Sequence, residues 1–157
     1  VPVLLIDVLK GWVAAMLPVF LNMADDGSAL LTNYQIIAGL AAVAGHIYPV
    51  FAGFHGGKGV ATIFGVLLAI NPLVTISCFG VFLCVLLISG YASLGSMTAG
   101  ISFPVLLFFF FETPSVWLKV FSVLVAVALL ITHRHNIIRL IKGKESRLIK
   151  PLARKTK

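Results

Sequence analysis

Between Phe54 and Thr62 the chain sets three glycines around a single lysine, at Gly56, Gly57, Lys58 and Gly59. Glycine lets a backbone turn sharply and brings bare N–H groups close to a ligand. Lys58 adds a compact positive charge that suits a phosphate oxygen. Val60, Ala61 and Thr62 then open an apolar helix whose N-terminal amides and dipole also favour an anion. The stretch reads as a phosphate cradle. Its plainer reading is a tight turn whose lysine faces water. A Walker A loop is excluded, because Ala52 stands where its first glycine belongs and Gly59 where its Mg²⁺-binding hydroxyl belongs.

A second polar cluster lies at His133, Arg134, His135 and Asn136, followed by Ile137, Ile138, Arg139, Leu140 and Ile141. At helical spacing the isoleucines and Leu140 form one apolar arc, with His135, Arg139 and Lys142 opposite. His133 falls within the arc and Asn136 at its edge, three residues apart on one face. The plain reading is an interfacial amphipathic helix with a satisfied histidine. The sharper one has His133 and Asn136 jointly addressing a ligand at the membrane surface. No metal site is expected: no Cys, Asp or Glu accompanies His46, His55, His133 or His135 at ligand spacing. No carboxylate stands near His133 or Lys58 in sequence, so no triad-like orienter is in view.

The elements that hold these clusters are membrane helices. Sixty per cent of the 157 residues are hydrophobic and only 11% charged, against roughly 25% charged in soluble chains. Six spans are expected, approximately Val3 to Met23, Asn33 to Tyr48, Val60 to Ile70, Pro72 to Gly90, Ser96 to Phe111 and Ser115 to Thr132. The third is short for a full crossing and could be a half-helix. With six spans, Lys10, Lys58 and the tail from Arg134 share one side, and Asp25, Asp26, Glu112 and Lys119 the other. That asymmetry predicts cytoplasmic termini and motifs. The net charge of +7 concentrates in the tail, which suits anionic lipid headgroups rather than nucleic acid. Cys78 and Cys84 lie in one apolar span and read as core residues.

Five motifs occur in order: Asp7-x-x-Lys10-Gly11, Gly45-His46-x-Tyr48-Pro49-Val50-Phe51, Gly56-Gly57-Lys58-Gly59-Val60-Ala61-Thr62, Ser93-Leu94-x-Ser96, and His133-Arg134-x-Asn136-Ile137-x-Arg139-Leu140. From about Asp7 to Glu145 the chain resembles the PlsY-type acyl-phosphate:glycerol-3-phosphate acyltransferases of bacteria. The resemblance implies an all-α, polytopic transmembrane bundle in the bacterial inner membrane. The family's seven spans become about six here. Its first span and a Gly-Ser-Gly-Asn-type phosphate loop have no counterpart, so the chain is expected to be a fragment lacking its beginning. Residues 1–157 would form one integral-membrane domain, with 143–157 a basic cytoplasmic tail.

The activity so implied transfers a fatty acyl group from acyl phosphate to glycerol 3-phosphate, giving lysophosphatidic acid and phosphate without a cofactor. Lys58, His133 and Asn136 would be catalytic. Gly56, Gly57, Gly59, Ser93, Ser96, His46 and Arg139 would bind substrate, with Ser96 preferred over Ser93 as a hydroxyl donor. Helix packing is the plain reading of both serines. Membrane lipids and the enzyme that forms the acyl phosphate are the expected partners. Either His133 or a substrate phosphate oxygen takes the proton of the attacking hydroxyl; the absence of an orienting carboxylate favours the phosphate. A small transporter or a non-catalytic membrane scaffold would share the composition, but neither accounts for two phosphate-suited clusters on one side.

Overall fold

The computed structural model describes residues 2–50, 53, 56–113 and 115–149, and every regular element among them is helical. Phe51, Phe54, His55, Pro114 and the tail beyond 149 lie outside the described residues. The helices are α1 (Pro2–Phe20), α2 (Ala29–Ile47), α3 (Val60–Ile70), α4 (Pro72–Ser89), α5 (Ala92–Phe109), α6 (Val116–Thr132) and α7 (Arg134–Ile141).

Their limits follow from short-range chemistry. Ser28 caps α2 by accepting from the Leu31 amide at 3.1 Å, and Ser115 caps α6 by accepting from the Leu118 amide at 3.1 Å. Asn71 ends α3 and caps α4, accepting from the Val74 amide at 3.2 Å just ahead of Pro72, the first residue of α4. Gly90 closes α4 in the left-handed region at φ 80°.

Four helices, α1, α2, α4 and α5, are long and apolar enough to cross a membrane, and α6 with α7 makes a fifth candidate, bent by 58°. The expected third span is the departure from six. At 11 residues α3 reaches about 16 Å, roughly half a hydrocarbon core. The Asn71 turn gives partners on both sides of the break, its amide bonding the Leu67 carbonyl at 2.8 Å and its side chain capping the first turn of α4.

Ala15, Ile36, Ile63, Val66, Phe103, Leu107, Phe121, Val125 and Leu129 form a core shared by α1, α2, α3, α5 and α6. Leu5, Leu9, Leu17, Ile76, Leu83, Leu124 and Ile131 face outward. This is the inside-out pattern of a bundle solvated by lipid. The chain is a multi-pass membrane protein.

The first turns of α3 and α5, the ends of α2, α4 and α6, and the N-terminal half of α1 gather at one end of the bundle. Contacts of His46 with Lys10, Lys58 with Asn136, and Ser93 with Glu145 tie that end together. At the other end Ser115 donates to Asn33 Oδ1 at 2.9 Å.

Candidate active site

The glycine loop is fixed by what packs beneath it. An added Cβ at Gly56 would fall 2.0 Å from the carbonyl oxygen of His46, and one at Gly57 would fall 2.3 Å from the His46 ring at Nε2. The chain therefore passes directly over the end of α2, which only glycine permits at these two positions. Gly59, at φ 76°, then turns the backbone into α3. Lys10 Nζ donates to Asp7 Oδ1 and to His46 Nδ1, both at 2.6 Å. With Nδ1 accepting from Lys10, the His46 ring turns Nε2 toward Gly57.

Lys58 projects from this loop and donates to Asn136 Oδ1 at 2.5 Å. Asn136 Nδ2 in turn donates to Glu145 Oε1 at 2.6 Å. The same carboxylate accepts from Ser93 Oγ at 2.8 Å and from Arg139 Nε at 2.7 Å. Burial alone would raise the Glu145 pKa, but the bonds from Asn136, Arg139 and Ser93 and the Arg139 charge bring it down to about 2. Glu145 is thus an anion at any physiological pH. Burial, reinforced by the Arg139 charge, lowers Lys58 from the ordinary lysine value, while Glu145 pulls the other way.

His133 sits where α6 bends into α7, only 3% exposed. It is at once the C-cap of α6 and the N-cap of α7, so it stands at the bend rather than on the apolar arc of α7. Its Nδ1 meets the Leu129 carbonyl at 2.9 Å, so the neutral ring holds its proton there and keeps Nε2 as an acceptor. Nε2 makes no hydrogen bond among the described residues. Burial lowers the His133 pKa, and the nearby Lys58 charge adds to that, against the Leu129 carbonyl, which raises it.

These side chains surround one cavity of about 290 Å³, lined by Lys58, Ala92, Ser93, Ser96, His133, Asn136 and residues 145–148. Five of the residues singled out from sequence, Lys58, Ser93, Ser96, His133 and Asn136, thus meet from segments far apart in the chain. The other candidates stand behind them. Gly56, Gly57 and Gly59 shape the loop, His46 supports it from below, and Arg139 reaches the site through Glu145. Of the two serines, Ser93 has its hydroxyl committed to Glu145, whereas Ser96 Oγ bonds back to the Ala92 carbonyl at 3.0 Å.

Glu145 brings the site a carboxylate that the sequence near Lys58 and His133 does not offer. After α7 the Gly143 amide bonds the Leu140 carbonyl at 3.0 Å and the Lys144 amide bonds the Arg139 carbonyl at 2.8 Å, with Gly143 at φ 65°. This Schellman turn reverses the chain and returns Glu145 to Asn136. A glycine just past a short amphipathic helix was its sequence signal. The orienter of His133 was invisible for another reason: it is a backbone carbonyl. Among the described residues, no three His, Cys, Asp or Glu side chains group as metal ligands would.

A sequence model of the glycerol-3-phosphate acyltransferase family matches residues 1–143. The chain is 37% identical to the glycerol-3-phosphate acyltransferase of Chlorobium phaeobacteroides strain BS1, over 93% of its own length and 74% of that protein's. It is 39% identical to that of Chlorobaculum tepidum, over 93% and 73%. Among solved structures it resembles PlsY, an integral membrane glycerol 3-phosphate acyltransferase, in crystal structures of the lysophosphatidic acid and glycerol 3-phosphate forms. The TM-score is 0.79 in both cases, at 40% identity, over 92% of this chain and 70% and 68% of those.

Proposed function

The chain belongs to the glycerol-3-phosphate acyltransferase family, and from that premise we propose that it acylates glycerol 3-phosphate with an acyl phosphate, at the cytoplasmic face of a bacterial inner membrane. The observation that carries this reading is the convergence of Lys58, Asn136, His133 and Ser96 on one cavity at the end of a lipid-solvated bundle. A phosphate finds cation and N–H donors there, and an acyl chain can lie along the outward apolar helix faces. The concentration of Lys10, Lys58 and Arg139 at that end supports a cytoplasmic orientation.

The acyl-phosphate donor fits the proton balance of the site. The hydroxyl oxygen of glycerol 3-phosphate attacks the acyl carbonyl carbon, and the bond from that carbon to the phosphate oxygen breaks. The hydroxyl gives up one proton and the departing phosphate needs one, so direct transfer between them balances the reaction. His133 then serves by accepting at Nε2 a hydrogen bond from the neighbouring hydroxyl of glycerol 3-phosphate, which aims the attacking oxygen at the carbonyl and leaves its own proton free to move to phosphate. Lys58 and Asn136 stabilise charge on phosphate, and Glu145 fixes Asn136. The supplier of the acyl phosphate, an enzyme forming it from an activated fatty acid, is the natural partner at this face.

Reconstitution in lipid with glycerol 3-phosphate and, separately, acyl phosphate, acyl-CoA or acyl-carrier protein tests the reading. Lysophosphatidic acid should appear with acyl phosphate alone. Product from acyl-CoA at an equal rate would overturn the donor assignment, and no product from any donor would overturn the activity.

A further inference from the structure

Two phosphate groups must enter this cavity in each turnover, one on each substrate, and Lys58 is one cation of its wall. Arg139 is spent on Glu145, at 2.7 Å. The chain after the Schellman turn supplies another. Residues 145–148 form part of the cavity wall, and the Leu148 amide donates to the Gly90 carbonyl at 2.8 Å, tying this segment to the turn between α4 and α5. Arg147 lies on that tied segment. Its guanidinium sits 5.3 Å from the centre of the Tyr91 ring, and Nε donates to the Tyr91 hydroxyl at 3.3 Å.

Among the described residues Arg147 has no carboxylate within ion-pair distance, although Glu145 stands two positions away. It is exposed and lines the cavity. The cation–π contact and the hydrogen bond to Tyr91 hold the guanidinium while most of its N–H donors stay unused. A planar, preoriented fork with no counter-ion is the arrangement that captures a phosphate monoester.

We infer that Arg147 is a second phosphate-binding residue of the site, taking the phosphate of one substrate while Lys58 and Asn136 serve the other. The inference rests on the acyl-transfer reading and extends it to residues past the end of the family match at residue 143.

The test is steady-state kinetics of the full chain in lipid, varying glycerol 3-phosphate and acyl phosphate separately. Wild type should make lysophosphatidic acid; its failure to do so would overturn the acyl-transfer reading and this inference with it, whereas an active wild type with unaffected variants would overturn this inference alone. Arg147→Ala should raise KM for one substrate by about 10- to 100-fold, with kcat within about threefold. A rise for glycerol 3-phosphate assigns the acceptor's phosphate, and a rise for acyl phosphate the donor's. Arg147→Lys should recover part of the loss. Tyr91→Phe, which removes only the phenol hydroxyl, should raise the same KM by about two- to fivefold. The backbone tie at Leu148 does not use the Arg147 side chain, so these variants should insert normally. Unchanged KM for both substrates, a fall confined to kcat, or an Arg147→Lys variant no better than alanine would overturn the inference.

Discussion

Asn136→Asp tests the polar chain of the site with almost no change of shape. In the native site the amide faces two ways, accepting from Lys58 and donating to Glu145 at 2.6 Å. The substitution places a second carboxylate oxygen where Nδ2 was. Two unit charges at that distance repel by about 6 kcal/mol at an effective dielectric of about 20. The site escapes by holding one proton between the two carboxylates, which raises the pKa of the pair above the ordinary carboxylate range. The sign follows: a folded-state pKa above the unfolded value means the favourable arrangement exists at low pH and is lost as pH rises through the raised pKa. When protonated, the introduced carboxyl can still donate to Glu145. Once deprotonated, it repels Glu145, neutralises Lys58 and opposes incoming phosphate. The ratio of variant to wild-type turnover should therefore fall to about 10⁻² near pH 8 and recover several-fold near pH 5.5. Taking the ratio at each pH cancels the titration of His133 and of the substrates. Asn136→Ala, which cannot donate at any pH, should give a low and flat ratio. An Asn136→Asp ratio near one throughout, or one as flat as alanine's, would refute the network as described.

Lys58→Ala should lose about 10²–10³ in turnover while inserting and folding as wild type, because it removes one preorganised charge; near-normal turnover would reduce Lys58 to a surface cation. His133→Gln should keep part of the rate that His133→Ala loses, since the amide oxygen can still accept a hydrogen bond from the neighbouring hydroxyl of glycerol 3-phosphate but takes no proton; equal losses would make His133 the base. His133 should contribute to the fall of the wild-type rate at low pH through a pKa below the ordinary histidine value, because burial disfavours the charged ring. In a background freed of Cys78 and Cys84, Asp26→Cys and Lys58→Cys should label from opposite faces of the membrane, Lys58→Cys from the cytoplasmic one; labelling of both from one face would overturn the topology.

Side-chain chemistry made much of this site legible in advance, and tertiary geometry withheld the rest. The glycine–lysine loop and the His133–Asn136 pair carry their chemistry in residue type, and their meeting across 78 residues is seen in the bond from Lys58 to Asn136. The bundle was legible because lipid demands long apolar helices. Glu145 was not, because a carboxylate nine residues from Asn136 becomes its neighbour only through the reversal at Gly143. The roles of Asp7 and Lys10 were equally hidden. Their motif is visible in the sequence, but the sequence does not say that their partner is His46, 36 residues on from Lys10.

The short α3 shows why these supporting contacts matter to Lys58. A helix of 11 residues cannot fix its own depth by matching the bilayer, and lipid supplies no apolar force to press it against its neighbours. Backbone contact does so instead. A Cβ at Gly65 would fall 2.0 Å from the Val8 carbonyl oxygen, and one at Gly11 would fall 2.2 Å from the Thr62 carbonyl oxygen. Thus α1 and α3 touch main chain to main chain on both sides of the crossing. The same α1 carries Asp7 and Lys10, which hold His46 under Gly57. Lys58 is therefore positioned from below by α2 and from behind by α3, with α1 bracing both. The loop that presents the charge is short and glycine-rich, yet its two ends are anchored to one rigid helix. That anchoring lets a lysine in a flexible sequence act as a preorganised electrostatic contact rather than a solvated one.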